Sequence, residues 1–162
     1  LANRHPRVNI LQPGPGVGGH CIAVDPWFIV DRSPECSNLI RTAREVNDAK
    51  PGWVIERVKR CADKFKSPVI ACLGLAFKAD VDDLRESPAS DIVKKLQEEN
   101  IGQLMVCEPN LKAHKDFELC SLEMAIKQAD IILLLVDHKG FKSLSAAELG
   151  EKVVIDTRGV IK

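Results

Sequence analysis

A cysteine with the surroundings of a nucleophile follows a glycine-rich turn, in the sequence GPGVGGHC at residues 14–21. Glycines let the backbone pack closely and point its N–H groups at a ligand, and such groups can stabilise an oxyanion on a carbon bonded to sulfur. The thiolate of Cys21 could add to an aldehyde, and the thiohemiacetal could pass a hydride to NAD+ to leave a thioester. Asp25 could then orient or activate the water that hydrolyses this thioester. The competing interpretation is a small apolar residue packed under a glycine turn.

The same glycines also satisfy the pattern GxGxxG, which is typical of dinucleotide-binding turns. That fingerprint must follow a strand and open a helix, with an acidic residue about 20 positions further on. Here we predict no clear helix after the glycines, and Pro13 and Pro15 stiffen the loop. We therefore interpret the segment as a structured loop. A simple NAD-binding domain is the alternative, and it would predict that the isolated chain binds NAD.

The part of the chain that must position these groups alternates between strands and helices after residue 67. Buried strands are predicted at residues 69–73, 104–107, 131–136 and 153–155. Ser87 and Ser121 are predicted to cap helices that lie between these strands, and residues 146–149 are predicted to form a helical turn. Because parallel crossovers need the length of a helix, this order predicts an α/β fold with a parallel sheet and helices on both faces.

Polar residues follow each predicted strand, at the sheet edge where ligands of such folds bind. They are Phe77-Lys78, Glu108-Pro109, Asp137-His138 and Asp156-Thr157-Arg158. The alternative, for Glu108 and Asp137 in particular, is that strand ends are simply where loops become polar. The pattern predicts a binding edge without naming its ligand.

Three segments of different character divide the chain. Residues 1–34 are dominated by a glycine- and proline-rich active-site loop, residues 35–66 have the apolar spacing of a helical pair interrupted or started by Pro51, and residues 67–162 form the sheet domain. The first residue is Leu1, and no signal-peptide pattern follows it. We expect a chain that starts within a longer protein.

Composition excludes several classes of partner. Lysine plus arginine equals aspartate plus glutamate, at 23 each, so we expect neither nucleic acid nor a membrane surface as a partner. The longest apolar run, residues 131–136, is far shorter than the roughly 20 residues that span a bilayer. Six irregularly spaced cysteines without a CxxC pair predict reduced, mostly buried thiols, no zinc and a cytoplasmic location.

Three motifs in this order resemble signatures of the UDP-glucose/GDP-mannose dehydrogenase family. They are PGPGVGGHC at residues 13–21 with Asp25-Pro26, then GLAFK at residues 74–78 with DDLRESP at residues 82–88, and DTRG at residues 156–159. The resemblance covers essentially the whole chain, and residues 4–12 and 24–28 resemble one branch of the family. It implies a Rossmann-like UDP-binding domain in an enzyme that oxidises C6 of a UDP-sugar to a carboxylate with two NAD+ and one water.

The resemblance also implies a role for the residues of the first two motifs. Cys21 would be the thiol nucleophile, and Asp25 would be its partner in thioester hydrolysis. Phe77 and Lys78 would contact the UDP-sugar. The glycines that would shape the site around the reacting carbon are Gly16, Gly18 and Gly19.

The resemblance also implies that arginines of this chain complete the site. Arg85 would reach the NAD pyrophosphate, with pairing to Asp82 or Asp83 at the surface as its alternative. Arg158 would touch the sugar or uracil side, unless it is an ordinary surface residue. Arg4 or Arg7 would reach the substrate of a neighbouring subunit, because the family dimerises through its central helices. The alternative is that both arginines are solvated. His20 is expected to shape the loop and not to act as a general base.

The sequence also departs from the family pattern. It lacks the NAD-binding domain and the upstream lysine and asparagine that family enzymes contribute to the oxidation. The resemblance therefore implies that this chain does not oxidise a sugar alone. The alternative is a non-catalytic module that binds a nucleotide sugar or forms a homodimer.

Overall fold

A four-stranded parallel sheet forms the centre of the chain, as seen in a computed structural model that describes residues 2–8, 10 and 12–161. Its strands are β1 (Val69–Leu73), β2 (Gln103–Cys107), β3 (Ile131–Leu134) and β4 (Val153–Asp156). The spatial order is β2-β1-β3-β4, and every neighbouring pair is parallel. The predicted α/β class with a Rossmann-like parallel sheet is thus confirmed.

Helices cover both faces of this sheet, and the pleat decides which strand residues each face receives. The helices of the sheet domain are α4 (Pro88–Glu98), α5 (Leu122–Gln128) and α6 (Ala146–Leu149). Alternate residues of β1, Ile70 and Cys72, pack with α4, whereas Ala71 and Leu73 pack with α5 and α6. Each fully buried leucine or isoleucine in these two cores contributes about 1.5–3 kcal/mol.

The predicted caps hold the helices of the sheet domain at their N-termini. The Ser87 hydroxyl accepts from the Ser90 N–H, and Ser121 accepts from the Met124 N–H. The Ser87 hydroxyl also donates to the buried Leu75 carbonyl at 2.6 Å. The cap therefore fixes the first turn of α4 against the segment that follows β1.

The predicted third strand is two residues too long. Strand β3 ends at Leu134 because the N–H groups of Leu135 and Val136 both donate to the Leu73 carbonyl, at 3.0 and 3.2 Å. Leu135 and Val136 are nevertheless buried, so their apolar character reflects the core and not the ladder. The irregular exit directs the chain toward the edge of the sheet.

Three helices precede the sheet: α1 (Asp25–Arg32), α2 (Asn38–Asp48) and α3 (Lys50–Ala62). The predicted helical pair is confirmed as α2 and α3, and Pro51 lies in the first turn of α3. The prediction of no helix after the glycines was wrong, because α1 begins at Asp25 with Pro26 in its first turn. No strand precedes the glycines among the described residues, so the dinucleotide fingerprint still lacks half of its context.

The cysteines are all free thiols, but the expectation that most are buried was wrong. Cys72 and Cys107 lie within strands and are buried, whereas Cys21 and Cys36 are exposed. Burial raises the pKa of the Cys72 and Cys107 thiols to about 12. In the described part of the chain, no His, Cys, Asp and Glu side chains group as a metal site would require.

None of the helices over the described residues has the length and apolarity needed to cross a membrane.

Candidate functional site

A cleft of about 460 Å³ opens at the carboxyl edge of the sheet, above β1 and β3. From β1 the chain passes to β2 on one side, while β3 lies on the other side, so the cleft marks the point where the strand order reverses. Open parallel sheets bind their ligands at such switch points. Phe77 and Lys78 line it after β1, Asp137 after β3 and Arg158 after β4.

The glycine loop closes the other side of the cleft, where Gly16 and Gly18 are among the lining residues. At Gly18 an added Cβ would lie 2.8 Å from Pro88 Cδ and would collide with the Glu86 carbonyl. At Gly19, where φ is +94°, it would lie 3.0 Å from the Phe77 ring. Only glycine allows the loop to approach the start of α4 and the Phe77 ring this closely.

Cys21 stands at the exposed end of this loop. Its carbonyl accepts from the N–H groups of Val24 and Asp25, at 3.0 and 2.8 Å, and these bonds turn the chain into α1. Its side chain is exposed, so the sulfur is not sealed in an apolar interior. Asp25 is also exposed and lies in the first turn of α1. The structure thus joins both residues through one backbone turn, close to the cleft residues Gly18 and Ile22.

Asn47 on α2 holds the same loop from behind. Its Oδ1 accepts from the Val17 N–H at 2.8 Å, and its Nδ2 donates to the Val17 carbonyl at 3.2 Å. The buried Arg44, one turn earlier, donates to the Ile22 carbonyl at 3.4 Å. Sequence analysis missed these contacts, because neither residue carries a local signal that links it to a loop more than 20 positions away.

Arg158 is held firmly at the cleft. Its Nε and Nη2 both lie 3.0 Å from Asp137 Oδ1, and both side chains are about four-fifths buried. Burial raises the pKa of the Asp137 carboxyl, but Arg158 and Lys142 lower it more, so the pKa lies below its usual value. Asp156 positions the segment by accepting from four backbone N–H groups, those of residues 158–161. Arg158 is therefore not a free surface residue.

Arg85 lies outside the cleft, at an exposed position. Its Nε donates to both carboxylate oxygens of Asp83, each at 3.0 Å. These bonds lower the pKa of Asp83 to about 2 and raise the pKa of Arg85. The structure thus shows Arg85 in its surface pairing with Asp83, in the vicinity of Cys21.

Arg4 and Arg7 are exposed and do not line the cleft. Asn9 and Leu11 of the same branch-resembling segment lie outside the described residues. His20 is exposed on the glycine loop. The structure therefore brings Gly16, Gly18, Phe77, Lys78 and Arg158 together at the cleft. The predicted site residues outside its lining are Gly19, Cys21, Asp25, Arg85 and the two N-terminal arginines.

A buried acidic group supports the cleft from below. The Glu108 carboxylate, which follows β2, accepts from the N–H groups of Leu75 and Ala76 at 2.7 and 3.1 Å and contacts His138 Nε2 at 3.0 Å. Burial raises the pKa of Glu108, but the bonds from His138, Leu75 and Asn110 lower it more, so the carboxyl stays ionised. The interpretation of Glu108 as a merely polar loop residue is excluded by its burial.

A parallel sheet with a glycine-lined cleft at its switch point defines an open α/β fold, a class whose members include nucleotide-binding domains. The family model described as "UDP-glucose/GDP-mannose dehydrogenase family, UDP binding domain" matches residues 71–162, and the "central domain" of the same family matches residues 1–49. The chain belongs to the UDP-glucose/GDP-mannose dehydrogenase family, and the resemblance seen in its three motifs is confirmed.

Named relatives cover the chain almost completely. An NDP-N-acetyl-D-galactosaminuronic acid dehydrogenase of Ralstonia nicotianae is 61% identical over 99% of the chain and 39% of its own length. A UDP-N-acetyl-D-mannosamine dehydrogenase of Yersinia pestis is 51% identical over 99% of the chain and 41% of its length. The solved UDP-N-acetyl-mannosamine dehydrogenase Cap5O of S. aureus is 43% identical, with a TM-score of 0.81 over 99% of the chain and 39% of that protein. The chain thus spans about two-fifths of these relatives.

Proposed function

We propose that the chain binds the nucleotide sugar and supplies the nucleophile in an NAD-dependent UDP-sugar 6-dehydrogenase. The observation that carries this proposal is the cleft at the switch point, which places Lys78 and Arg158 opposite the glycine loop that leads to Cys21. We propose that Phe77, Lys78 and the loop glycines contact the UDP-sugar. The same proposal divides the chain into residues 1–34, 35–66 and 67–162, and the matched range 71–162 supports the last of these segments.

The chemistry proposed for Cys21 requires an exposed thiol beside a ligand cleft. The thiolate adds to the C6 aldehyde of the sugar to form a thiohemiacetal, and loss of a hydride from that carbon leaves a thioester. Water attacks the thioester, the thiolate leaves and the carboxylate is released. Asp25, four residues after Cys21 and joined to it by the turn into α1, is placed to orient this water.

NAD+ would accept the hydride, but the described residues form no dinucleotide-binding turn. The glycine loop packs on Pro88 and Phe77, and no strand leads into it in the described part of the chain. A Rossmann fingerprint needs that strand and the helix N-terminus beyond it. We therefore propose that NAD binds mainly to a further domain of the family's enzymes, with Arg85 reaching toward it.

The sugar that we propose is an N-acetylated hexosamine attached to UDP. Relatives that are more than 50% identical are named for N-acetyl-D-galactosaminuronic acid and for N-acetyl-D-mannosamine. The segments at residues 4–12 and 24–28 resemble the UDP-N-acetyl-D-mannosamine branch, which favours that sugar. We therefore propose that the reaction converts UDP-N-acetyl-D-mannosamine to UDP-N-acetyl-D-mannosaminuronate.

The isolated chain should bind UDP. Millimolar UDP should raise its melting temperature by several degrees, since a ligand at about 100 times its Kd stabilises by about 2.7 kcal/mol. Lys78→Met should weaken UDP binding about tenfold, because it removes a cation from the cleft and keeps the apolar stem. Isothermal titration calorimetry measures both affinities.

Lys127→Met is the matched control, because Lys127 is an exposed lysine on α5, away from the cleft. It should leave the UDP affinity unchanged. NAD+ alone should not shift the melting temperature. If millimolar UDP leaves the melting temperature unchanged and NAD+ raises it, the chain is a simple NAD-binding domain and the proposal is wrong.

We further propose that α1, α2 and α3 form a homodimer contact. Large apolar side chains are exposed on these consecutive helices, among them Phe28, Ile29, Leu39, Val46 and Trp53. Leu39 and Val46 lie two turns apart on α2, so the same face of that helix presents both. Exposed apolar surface of this kind is typical of a protein interface.

Sedimentation velocity tests the homodimer. The chain should sediment as a dimer, and Leu39→Glu should convert it to a monomer because a buried charge without a partner is costly at an interface. Glu45→Lys, on a different face of α2, should remain dimeric. A wild-type monomer at high concentration would exclude self-association through this surface.

A further inference from the structure

Glu108 and His138 form a buried pair that does not line the cleft. The side chain of Glu108 is fully buried and that of His138 is 1% exposed. They follow β2 and β3, respectively, and meet beneath the segment that follows β1. A buried polar pair is costly unless nearly every polar atom has a hydrogen-bond partner. The bonding of this pair therefore shows what it holds in place.

Every oxygen and nitrogen of the pair is engaged. Glu108 Oε2 accepts from Leu75 N, Ala76 N and His138 Nε2. Glu108 Oε1 accepts from the backbone and side-chain nitrogens of Asn110, at 3.1 and 3.2 Å. His138 Nδ1 accepts from the Asp80 N–H at 2.9 Å, so the ring proton is on Nε2 and is donated to Glu108.

These bonds fix both ends of residues 75–80. Glu108 holds the start of this segment through Leu75 and Ala76, and His138 holds its end through Asp80. The carboxylate of Asp80 in turn accepts from the Lys139 N–H at 2.9 Å. Phe77 and Lys78 lie between the two anchored ends and face the cleft. The buried pair thus anchors both ends of the segment that carries Lys78.

We propose that Glu108 and His138 are positioning residues for nucleotide binding, which act through the segment that carries Lys78. This inference rests on the proposed function, because Lys78 must contact the nucleotide for its position to matter. The loops that follow β1, β2 and β3 lie side by side at the carboxyl edge of the sheet. The Glu108–His138 pair connects these three loops through hydrogen bonds. The pair itself never touches the ligand.

Glu108→Gln tests the inference. An amide presents an NH2 group where the carboxylate has an oxygen, so it faces either the Leu75 and Ala76 donors or the Asn110 donors. UDP affinity should fall about tenfold in a protein that remains folded by circular dichroism. Glu123→Gln, an exposed glutamate on α5, is the matched control and should bind like the wild type.

A double-mutant cycle with Lys78→Met separates positioning from general weakening. If Glu108 acts through Lys78, the double variant should bind UDP no more than about threefold more weakly than Lys78→Met alone. A product of the two single effects, about a hundredfold, would overturn the inference, as would an unchanged affinity in Glu108→Gln.

His138→Phe is the second variant and guards against misfolding of the first. It keeps a ring against Phe141, whose centroid is 5.4 Å away, but removes both nitrogens. It should show the same loss of affinity and the same non-additivity with Lys78→Met. If the wild type fails to bind UDP, the proposed function is wrong and this inference falls with it. If the wild type binds UDP, and Glu108→Gln and His138→Phe bind it with the affinity of the wild type, only the inference is wrong.

Discussion

Gly74→Ala is expected to destabilise the chain by about 3 kcal/mol. Gly74 directly follows β1 with φ at +95°, and its N–H donates to the Cys107 carbonyl at 2.9 Å. An added Cβ would lie 2.5 Å from Val136 Cβ and 3.1 Å from the Val136 backbone nitrogen. Left-handed strain and overpacking add, because neither β1 nor the exit of β3 can move without breaking the ladder. Urea denaturation measures the loss as a lower midpoint at an unchanged slope.

Gly52→Ala is the matched control for the same change in side chain. Gly52 lies within α3, and apart from its chain neighbours and the surrounding helix backbone no atom lies within 4 Å of its added Cβ. Alanine should therefore stabilise the chain by about 0.5–1 kcal/mol, since glycine costs that much within a helix. Opposite signs for two glycine-to-alanine changes would locate the effect in the geometry of Gly74. Equal effects would contradict this explanation.

The sheet domain could be predicted from sequence because its signals are local. Each strand is a short apolar run, and Ser87 and Ser121 begin their helices with hydroxyls that accept from the first turn. Only the end of β3 was misjudged, since Leu135 and Val136 remain buried after the ladder ends. Burial and strand pairing normally occur together, and a sequence pattern cannot separate them.

Helix α1 could not be predicted from its own pattern. Its eight residues include only one buried side chain, Val30, while Phe28 and Ile29 are exposed. Apolar periodicity indicates a helix when one face packs on a core. The same limit applies to Leu39 and Val46 on α2, which have helical spacing but point away from the described core. Spacing does not say what covers a face.

The residues that hold the cleft loops in place could not be predicted from the sequence either. Glu108 and His138 lie 30 positions apart and meet only because β2 and β3 end at the same edge of the sheet. Asn47 reaches Val17 over the same separation. The motifs predicted which residues face the cleft, namely Gly16, Gly18, Phe77 and Lys78. The groups that hold those residues required the three-dimensional arrangement.

Cys21→Ser is expected to lower formation of the sugar carboxylate by roughly a thousandfold in the UDP-sugar dehydrogenase to which we propose that this chain belongs. The hydroxyl of serine is a far weaker nucleophile than a thiolate, so neither the thiohemiacetal nor the thioester forms at a useful rate. The Cys21 side chain is exposed, so serine should leave the fold and the UDP affinity unchanged. NADH absorbance and chromatography of the sugar product measure the loss.

Cys36→Ser is the matched control, because it makes the same change of side chain at a different exposed cysteine. Cys36 is also exposed, but it lies in the turn between α1 and α2, away from the glycine loop. Its serine variant should retain the wild-type rate. In the wild-type chain, UDP-sugar should slow alkylation of Cys21 and leave that of Cys36 unchanged, because Ile22, the neighbour of Cys21, lines the cleft. Full activity in Cys21→Ser would show that the thiol is not the nucleophile, and the chain would then contribute only nucleotide binding to the enzyme.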